Sequence, residues 1–194
     1  MANTEKPLGH LLLNNVRLAF PALFEPTSIA STDGKPSKPR YSAMLIIGPD
    51  HPQLQEIRDA QSAVAKDKWR DKAPALVKGL EKQDKMALHD GDTKAKYDGF
   101  DGSFFISAAS PGDKPAPKVV DRDRSPLSAK SGRPYSGCFV NVIVDLWAQD
   151  NQYGQRINAT LGAVQFFADG DSFGAGRQAD TDEFESFEEV SDFA

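Results

Sequence analysis

The most regular pattern of apolar and polar positions lies in residues 137–170. Alternate positions of its first arm are all apolar: Cys138, Val140, Val142, Val144 and Leu146. Strict alternation rich in β-branched residues is typical of a strand with one buried face. Residues 149–154 are polar and end in glycine, which predicts a hairpin loop, and residues 155–167 are expected to form the returning strand.

The opposite face of the same arm is mixed in chemistry: Phe139, Asn141, Ile143, Asp145 and Trp147. Such a face is either solvated sheet or a surface on which a flat, polar ligand binds. Trp147 carries a similar pair of alternatives, because its ring can pack beneath a helix or stack on a base.

Shorter runs predict further strands at residues 11–20, 40–47 and 103–110. Pro21 and Pro26 are expected to end regular strand pairing after the strand at residues 11–20. Residues 50–83 show helical periodicity and predict a helical insertion. The predicted fold class is therefore mainly β with a helical insertion (α+β), and its short strands and Pro/Gly-rich loops indicate a small barrel or sandwich.

The chain is long enough for one domain with a tail. We assign the domain to residues 11–168, with a disordered N-terminus at 1–10 and a flexible linker and acidic tail at 169–194. No apolar run approaches 18 residues, so no membrane span is expected. The single cysteine fits a reducing, cytosolic compartment.

The net charge of -5 conceals an uneven distribution. Residues 180–194 contain seven acidic residues and no lysine or arginine, whereas the rest of the chain has 23 bases and 21 acids. The body is therefore close to +2 and the tail is -7. An asymmetry of this kind indicates a tail that interacts with a partner or with the body itself.

A search for catalytic or metal-binding patterns is negative. The three histidines are isolated, and no phosphate loop, dinucleotide fingerprint or nucleophile elbow occurs. Asp121 and Asp123 flank Arg122, which is better explained by charge balance in a loop than by a metal site. Cys138 lies on the buried strand face and is expected to act as a small hydrophobe. We expect a non-enzymatic protein without cofactor or metal.

The positive signal is the interleaving of cations and aromatic rings, for example where Tyr97 follows Lys94 and Lys96. Proteins hold single-stranded nucleic acid with cations on phosphates and rings on bases, and each stacked base contributes about 1–3 kcal/mol. The alternatives are that most phenylalanines belong to the core and that the basic stretch is an ordinary solvated loop. The candidate nucleic-acid-binding residues are Arg40, Tyr41, Lys118, Arg122, Arg124, Arg133, Tyr135, Trp147, Tyr153 and Arg156.

The acidic tail also contains aromatic residues, which a purely solubilising tail does not need. Carboxylates and rings imitate phosphates and bases, so the tail can compete with nucleic acid for a cationic, aromatic-lined groove. The same features suit docking onto a basic patch of a partner, and a disordered solubility tail is the third alternative. The candidate tail residues are Asp182, Glu183, Phe184, Glu185, Phe187, Glu188, Glu189, Asp192 and Phe193.

Four features, in this order, match a known family. They are NVRLAFP at 15–21 with LFEP at 23–26, KPRYSA at 38–43, the hairpin at 137–167 preceded by GRPYSG, and the tail. In this combination the chain resembles the bacteriophage single-stranded DNA-binding proteins of the OB-fold type, over roughly residues 12–194.

The resemblance implies a five-stranded Greek-key barrel that coats single-stranded DNA during phage replication, recombination and repair, in the cytoplasm of the infected bacterial host. It implies that the tail competes for the DNA groove and contacts the phage or host DNA polymerase and helicase–primase, and that the protein can form a homodimer. One departure is that Ala194 follows the last phenylalanine, whereas the best-known members end on the aromatic residue.

Two rival interpretations remain open at this point. A phage structural or protein-interaction β domain would bind no nucleic acid and would use the tail to recruit a partner. An enzyme of nucleic-acid metabolism would require a metal site or a nucleophile, for which the sequence contains no pattern.

Overall fold

The computed structural model describes residues 6–28 and 35–174. Within these ranges the chain forms seven strands and two α-helices. The strands are β1 His10–Thr27, β2 Arg40–Ile47, β3 Leu88–Asp90, β4 Phe104–Pro111, β5 Lys118–Val120, β6 Phe139–Asn151 and β7 Gly154–Ala168. The helices are α1 Leu54–Trp69 and α2 Ala73–Lys82.

Five of the strands pair in a closed ring. β1 pairs antiparallel with β2 and β6, β2 with β4, and β6 with β7. A short parallel pairing of β4 with β7, Ala108 opposite Ala159 and Ala109 opposite Thr160, completes the ring. A five-stranded Greek-key barrel of this kind is the OB-fold architecture, and the predicted fold class is confirmed.

The interior of the ring is filled by the alternating apolar faces of the strands. The five apolar positions of the first hairpin arm are 0–2% exposed, as their spacing predicts. Helix α1 adds Ile57, Val64 and Ala65 to the same apolar cluster. The side-chain oxygen of its buried Gln61 accepts a hydrogen bond of 2.8 Å from the backbone N–H of Leu88, so the insertion is fastened to β3 as well as to the barrel.

Three local expectations need correction. β1 continues through both prolines to Thr27, because the register shifts between Ala19 and Ala22 and again before Thr27 leave the proline nitrogens outside the hydrogen-bonded pairs. β3 and β5 lie in segments for which the sequence predicts no strand. Each has only three residues, too few for a periodic signal.

The ends of the chain lie mainly outside the described ranges. Residues 1–5 of the expected disordered N-terminus and residues 175–194, which include the whole acidic tail, are not described. Residues 169–174, at the start of the expected linker, contact the body: the N–H of Phe173 donates to the carbonyl of Ser136 at 3.0 Å. Among the described helices, none is long and apolar enough to cross a membrane.

Adjacent leucines of β1 offer a direct check of the barrel. Leu13 is fully buried and Leu12 is 41% exposed. We expect Leu13→Ala to lower the free energy of unfolding by about 2–5 kcal/mol, because it removes buried surface and leaves a cavity. Leu12→Ala should change it by less than about 1 kcal/mol. Urea denaturation of the two variants measures both values, and equal losses would contradict the inward and outward assignment of β1.

Candidate nucleic-acid interface

A cleft of about 1420 Å³ opens on the outside of the barrel beside the β4–β7 pairing. The segment before β2, the turn after β4, and the outer faces of β4, β6 and β7 line it. Strand alternation explains which side chains point there, because the residues between them face the core. The pairing of β4 with β7 covers two residue pairs only, so beyond it the two strands diverge and leave the space open.

The charge of the cleft is strongly positive. Four cationic side chains line it, against the single carboxylate of Asp113: Lys38, Arg40, Lys114 and Arg156. The ion pairs found within the described ranges involve none of these four. Exposed cations without an internal partner are available to phosphates, whereas an ion-paired cation would first have to give up its carboxylate.

Trp147 supplies the aromatic face of the cleft. Its ring is 45% exposed, and Trp147 pairs with Asn158 across the hairpin. The Nδ2 group of Asn158 donates to Oε1 of Gln149 at 3.0 Å, so hydrogen-bonding amides lie directly beside the ring. Trp147 thus lines the cleft and is not covered by the insertion, and stacking of its ring on a base stays a prediction.

The insertion instead holds the hairpin through a different tryptophan. Nε1 of Trp69, at the end of α1, donates to Oδ2 of Asp150 at 2.8 Å. Hydrogen bonds from Gln155 and then from Trp69 keep the pKa of the Asp150 carboxyl below its usual value. Asp150 is therefore ionised at neutral pH, and this fixes the end of the hairpin on which Trp147 lies.

Three predicted residues meet in the cleft, namely Arg40, Trp147 and Arg156. Tyr153 lies at the tip of the same hairpin and is 83% exposed. Tyr41 requires a correction. It is 9% exposed on the inward side of β2, so its ring packs in the core and offers no face for stacking. Successive strand residues point to opposite faces, and in this pair it is Arg40 that points outward.

The other predicted residues lie farther along the outer side of β7. Lys118 is opposite Ala163, and Arg122 lines a smaller pocket with Gln165. Gln165 lies five positions beyond Thr160 of the cleft along β7, a distance of roughly 17 Å. The structure therefore divides the predicted residues into a group in the cleft and a second group beyond it, on β5 and the loops beside β7.

Within this second group, internal contacts reduce the freedom of the side chains. Nη2 of Arg133 forms an ion pair of 3.1 Å with Asp121, and its guanidinium lies 4.9 Å from the centre of the Phe166 ring. The hydroxyl of Tyr135 donates to Oδ1 of Asp169 at 2.9 Å. Arg124 is exposed in a turn with a φ of 69°. The side chains of Arg133 and Tyr135 can contribute to a binding surface, but a ligand would compete with their internal contacts.

Sequence reasoning did not select Lys38 and Lys114. Lys38 precedes Arg40 by two residues in an extended segment, so both can point to the same side, and this spacing was an available signal. Lys114 lies after β4, and its place opposite Arg156 depends on the barrel alone. Ser110 also lines the cleft, and its buried hydroxyl has no hydrogen-bond partner among the described residues.

The groups that could suggest other chemistry have structural roles. Burial raises the pKa of the Cys138 thiol, as expected of a core residue and not of a nucleophile. Oδ1 of Asp123 accepts hydrogen bonds from the hydroxyl and the backbone N–H of Ser125, which lower the pKa of its carboxyl. No cluster of potential metal ligands occurs in residues 6–28 and 35–174.

Comparison with known proteins gives one consistent result at the level of sequence. The family described as Enterobacter phage Enc34, ssDNA-binding protein, matches residues 9–194. The chain is also 40% identical over 176 residues to putative protein p50 of Acyrthosiphon pisum secondary endosymbiont phage 1, which covers 89% of this chain and 91% of that protein.

Solved structures agree with the sequence match. The single-stranded DNA-binding protein from bacteriophage Enc34 in complex with ssDNA aligns with a TM-score of 0.67 and 29% identity, over 86% of this chain and 90% of that one. The single-stranded DNA-binding protein gp2.5 of bacteriophage T7 aligns with a TM-score of 0.53 and 16% identity, over 94% and 98% of the two chains. The second similarity concerns the fold alone.

The two tryptophans give a test of the cleft geometry. Trp147 is 45% exposed and Trp69 is 7% exposed. In Trp69→Phe the remaining fluorescence should be quenched by acrylamide with a severalfold larger constant than in Trp147→Phe, because the quencher must reach the ring. Equal quenching constants in folded samples, checked by circular dichroism, would contradict this placement of Trp147.

Proposed function

The chain belongs to the family of the Enterobacter phage Enc34 ssDNA-binding protein, and on that premise we propose that it binds single-stranded DNA in the cleft, without sequence preference. The observation that carries the proposal is that four cations, none of which forms an ion pair with another described residue, line the same cleft as the exposed ring of Trp147. The family is one of DNA-binding proteins and not of enzymes.

The cations of the cleft hold the phosphates. Lys38 and Arg40 line it from the segment that enters β2, and Lys114 and Arg156 from the turn after β4 and from β7. A strand that lies between them meets positive charge from both sides. With four phosphate contacts and a slope of about -0.7 per contact for single strands, affinity should fall roughly 50-fold between about 50 and 200 mM salt.

The aromatic residues of the hairpin bind the bases. Trp147 offers one ring face inside the cleft, and Tyr153 offers a second at the hairpin tip. Every base has a π-face and can stack on an aromatic ring, so these two rings can bind DNA without reading its sequence. The amide of Asn158, which uses one N–H on Gln149, can donate its other N–H to base edges without selecting one base.

The predicted cations beyond the cleft extend the path along β7. Lys118 lies on β5 beside β7, and Arg122 follows it next to Gln165. We assign these two, with Arg124 and Arg133, to phosphates outside the central cleft. The hydroxyl of Tyr135 is hydrogen-bonded to Asp169 and Gly170, so we propose that Tyr135 positions the backbone of this surface.

We propose that the protein coats single-stranded DNA during phage replication and recombination, in the cytoplasm of the infected bacterium. The tail would compete with DNA for the cationic cleft and, when displaced, would contact replication partners such as a polymerase or helicase–primase. Support comes from the opposite charges of body and tail and from the position of Gly174, whose N–H donates to Asp98 on the body. The 20 residues beyond it can extend roughly 65–70 Å, enough to reach any part of the cleft. A homodimer is a further expectation that the family resemblance supports.

The rival function is a phage structural or protein-interaction β domain that uses its tail to recruit a partner. It predicts no salt-sensitive binding of DNA and no change in tryptophan fluorescence. The four cleft cations, which have no ion-pair partner in the described part of the chain, and the half-exposed tryptophan beside them favour DNA, because a protein partner would not require this combination of charge and ring.

A titration with oligo-dT tests the cleft. The intact protein should bind more tightly than about 10 μM at about 50 mM salt, the low-salt condition at which phosphate contacts are strongest. Trp147→Leu should weaken binding by about 1–3 kcal/mol, the contribution of one stacked base. Arg156→Gln should reduce the slope of log affinity against log salt by about 0.7.

Arg70→Gln is the matched control, because this arginine is on the exposed surface of the insertion, outside the cleft lining, and forms a long ion pair of 4.0 Å with Asp67. It should leave the slope unchanged. Absence of salt-dependent binding by the intact protein would reject the proposal, and equal effects of both arginine variants would reject the cleft as its location.

Deletion of residues 180–194 tests competition by the tail. If the tail fills the cleft in about nine molecules of ten, its removal should tighten binding about tenfold. The gain should shrink as salt is added, because the competition is electrostatic. Replacing only the three tail phenylalanines with serine separates the contribution of the rings from that of the charges. Unchanged affinity after deletion would refute competition by the tail.

A further inference from the structure

We propose that the bound strand continues from the cleft onto a second subsite formed by Phe20, Tyr97, Lys94 and Lys96, hereafter the platform, where it stacks at least one further base. This inference rests on the proposed function, because it extends the path of the same strand. It adds residues from β1 and from the loop between β3 and β4 that line no part of the cleft.

The platform combines exposed rings with cations. Phe20 is 49% exposed and Tyr97 is 40% exposed, and their rings meet edge to face with centroids 5.2 Å apart. Nζ of Lys96 lies 5.0 Å from the centre of the Tyr97 ring, and Nζ of Lys94 lies 6.0 Å from it. Adjacent π-faces with ammonium groups at their margin are the arrangement that binds stacked bases and their phosphates.

The backbone at Phe20 supports a functional reading of its exposure. Its φ is 47°, a left-handed value that costs free energy for a residue with a bulky side chain. It lies in the irregular part of β1 between Ala19 and Ala22, where the pairing with β2 shifts register. The bulge accounts for the left-handed backbone, but burial does not account for the side chain, because half of a large apolar ring is left in water.

A series of ring contacts joins the platform to the cleft. His89 lines the cleft, and its ring stacks on Phe105 with centroids 4.9 Å apart. Phe105 contacts Phe100 at 5.3 Å, and Phe100 contacts Tyr97 at 6.4 Å. Nζ of Lys94 also lies 5.7 Å from the centre of the Phe105 ring, between the two ends of the series. The rings of Phe105 and Phe100 are 3% and 0% exposed, so this series supports the platform from beneath and holds it at a fixed place relative to the cleft. Between the cleft and Tyr97, His89 and Lys94 are the groups that a strand leaving the cleft can reach.

The carboxylates of the platform loop do not oppose this path equally. Oδ1 of Asp92 accepts a hydrogen bond of 2.8 Å from the N–H of Gly102, and Oδ2 of Asp98 accepts one of 3.1 Å from the N–H of Gly174. A backbone amide thus binds one oxygen of two of the three acids in the loop, and Asp101 is the third. The two lysines make no ion pair among the residues that the structure describes.

Single-stranded DNA is the occupant that fits these features best. A purely apolar partner would have no use for Lys94 and Lys96. A DNA strand already bound in the cleft would be present near the platform at a raised local concentration. The acidic tail has similar chemistry and leaves the body beside Asp98, so it is the competing occupant that the experiment must exclude.

The test compares oligo-dT of about 4 and about 16 nucleotides, the limits of the range known for one OB fold. Tyr97→Leu and Phe20→Leu remove the aromatic face but keep an apolar side chain. Each should weaken binding of the long oligonucleotide at least about 5-fold, which corresponds to the low end of one stacked base, and leave the short one nearly unchanged. Tyr97→Phe keeps the ring and should bind both lengths as the wild type does.

Leu12→Ala, an exposed apolar position of β1 away from the platform, should affect neither length. Equal weakening for both lengths, or no loss with the long oligonucleotide, would overturn the inference while leaving the cleft intact. Loss of binding of a peptide of residues 180–194, with DNA binding unchanged, would make the platform a tail-binding site and would also overturn it. If the wild type binds neither oligonucleotide, the proposed function itself fails.

Discussion

The parallel pairing of β4 with β7 extends over only two residue pairs, and the rest of the structure depends on its position and its shortness. These pairs close the ring of five strands, so the apolar faces of all five enclose one core. Beyond them β4 ends at Pro111, and β5 takes its place along β7 from Ala163 onward. A longer pairing would fill the gap between these strands, and the cleft exists because it is short.

The helical insertion contributes to this geometry from the opposite side of the hairpin. Helix α1 packs into the core with its apolar face and fixes the hairpin through the hydrogen bond of Trp69 to Asp150. Because both arms of the hairpin are held, Trp147 has a defined position without being covered. The insertion thus supports the candidate interface structurally, although none of the predicted ligand-binding side chains belongs to the insertion.

Electrostatics separates the cleft from the surface farther along β7. Among the described residues, the cleft cations form no ion pair, whereas Arg133 is held by Asp121. Exposed ion pairs add little to stability, so leaving the cleft cations unpaired costs the fold little. The charge of the body is accordingly concentrated where a polyanion can approach the ring of Trp147.

The sequence by itself determined the features that depend on local periodicity and composition. The buried face of the hairpin, the mainly β class with a helical insertion, and the cations and rings at Arg40, Trp147 and Arg156 follow from alternation and from residue types. The division between a basic body and an acidic tail is likewise visible without coordinates.

Only the tertiary structure decided which outward residues face the same space. Alternation states that one of Arg40 and Tyr41 points inward, but the closure of the barrel decides that it is Tyr41. The three-residue strands β3 and β5 form because longer partners are already in place, so they leave no signal in the sequence. Lys114 joins Arg156, and Phe20 joins Tyr97, across long stretches of chain. Such contacts arise from strand order and register, which local physical preferences do not specify.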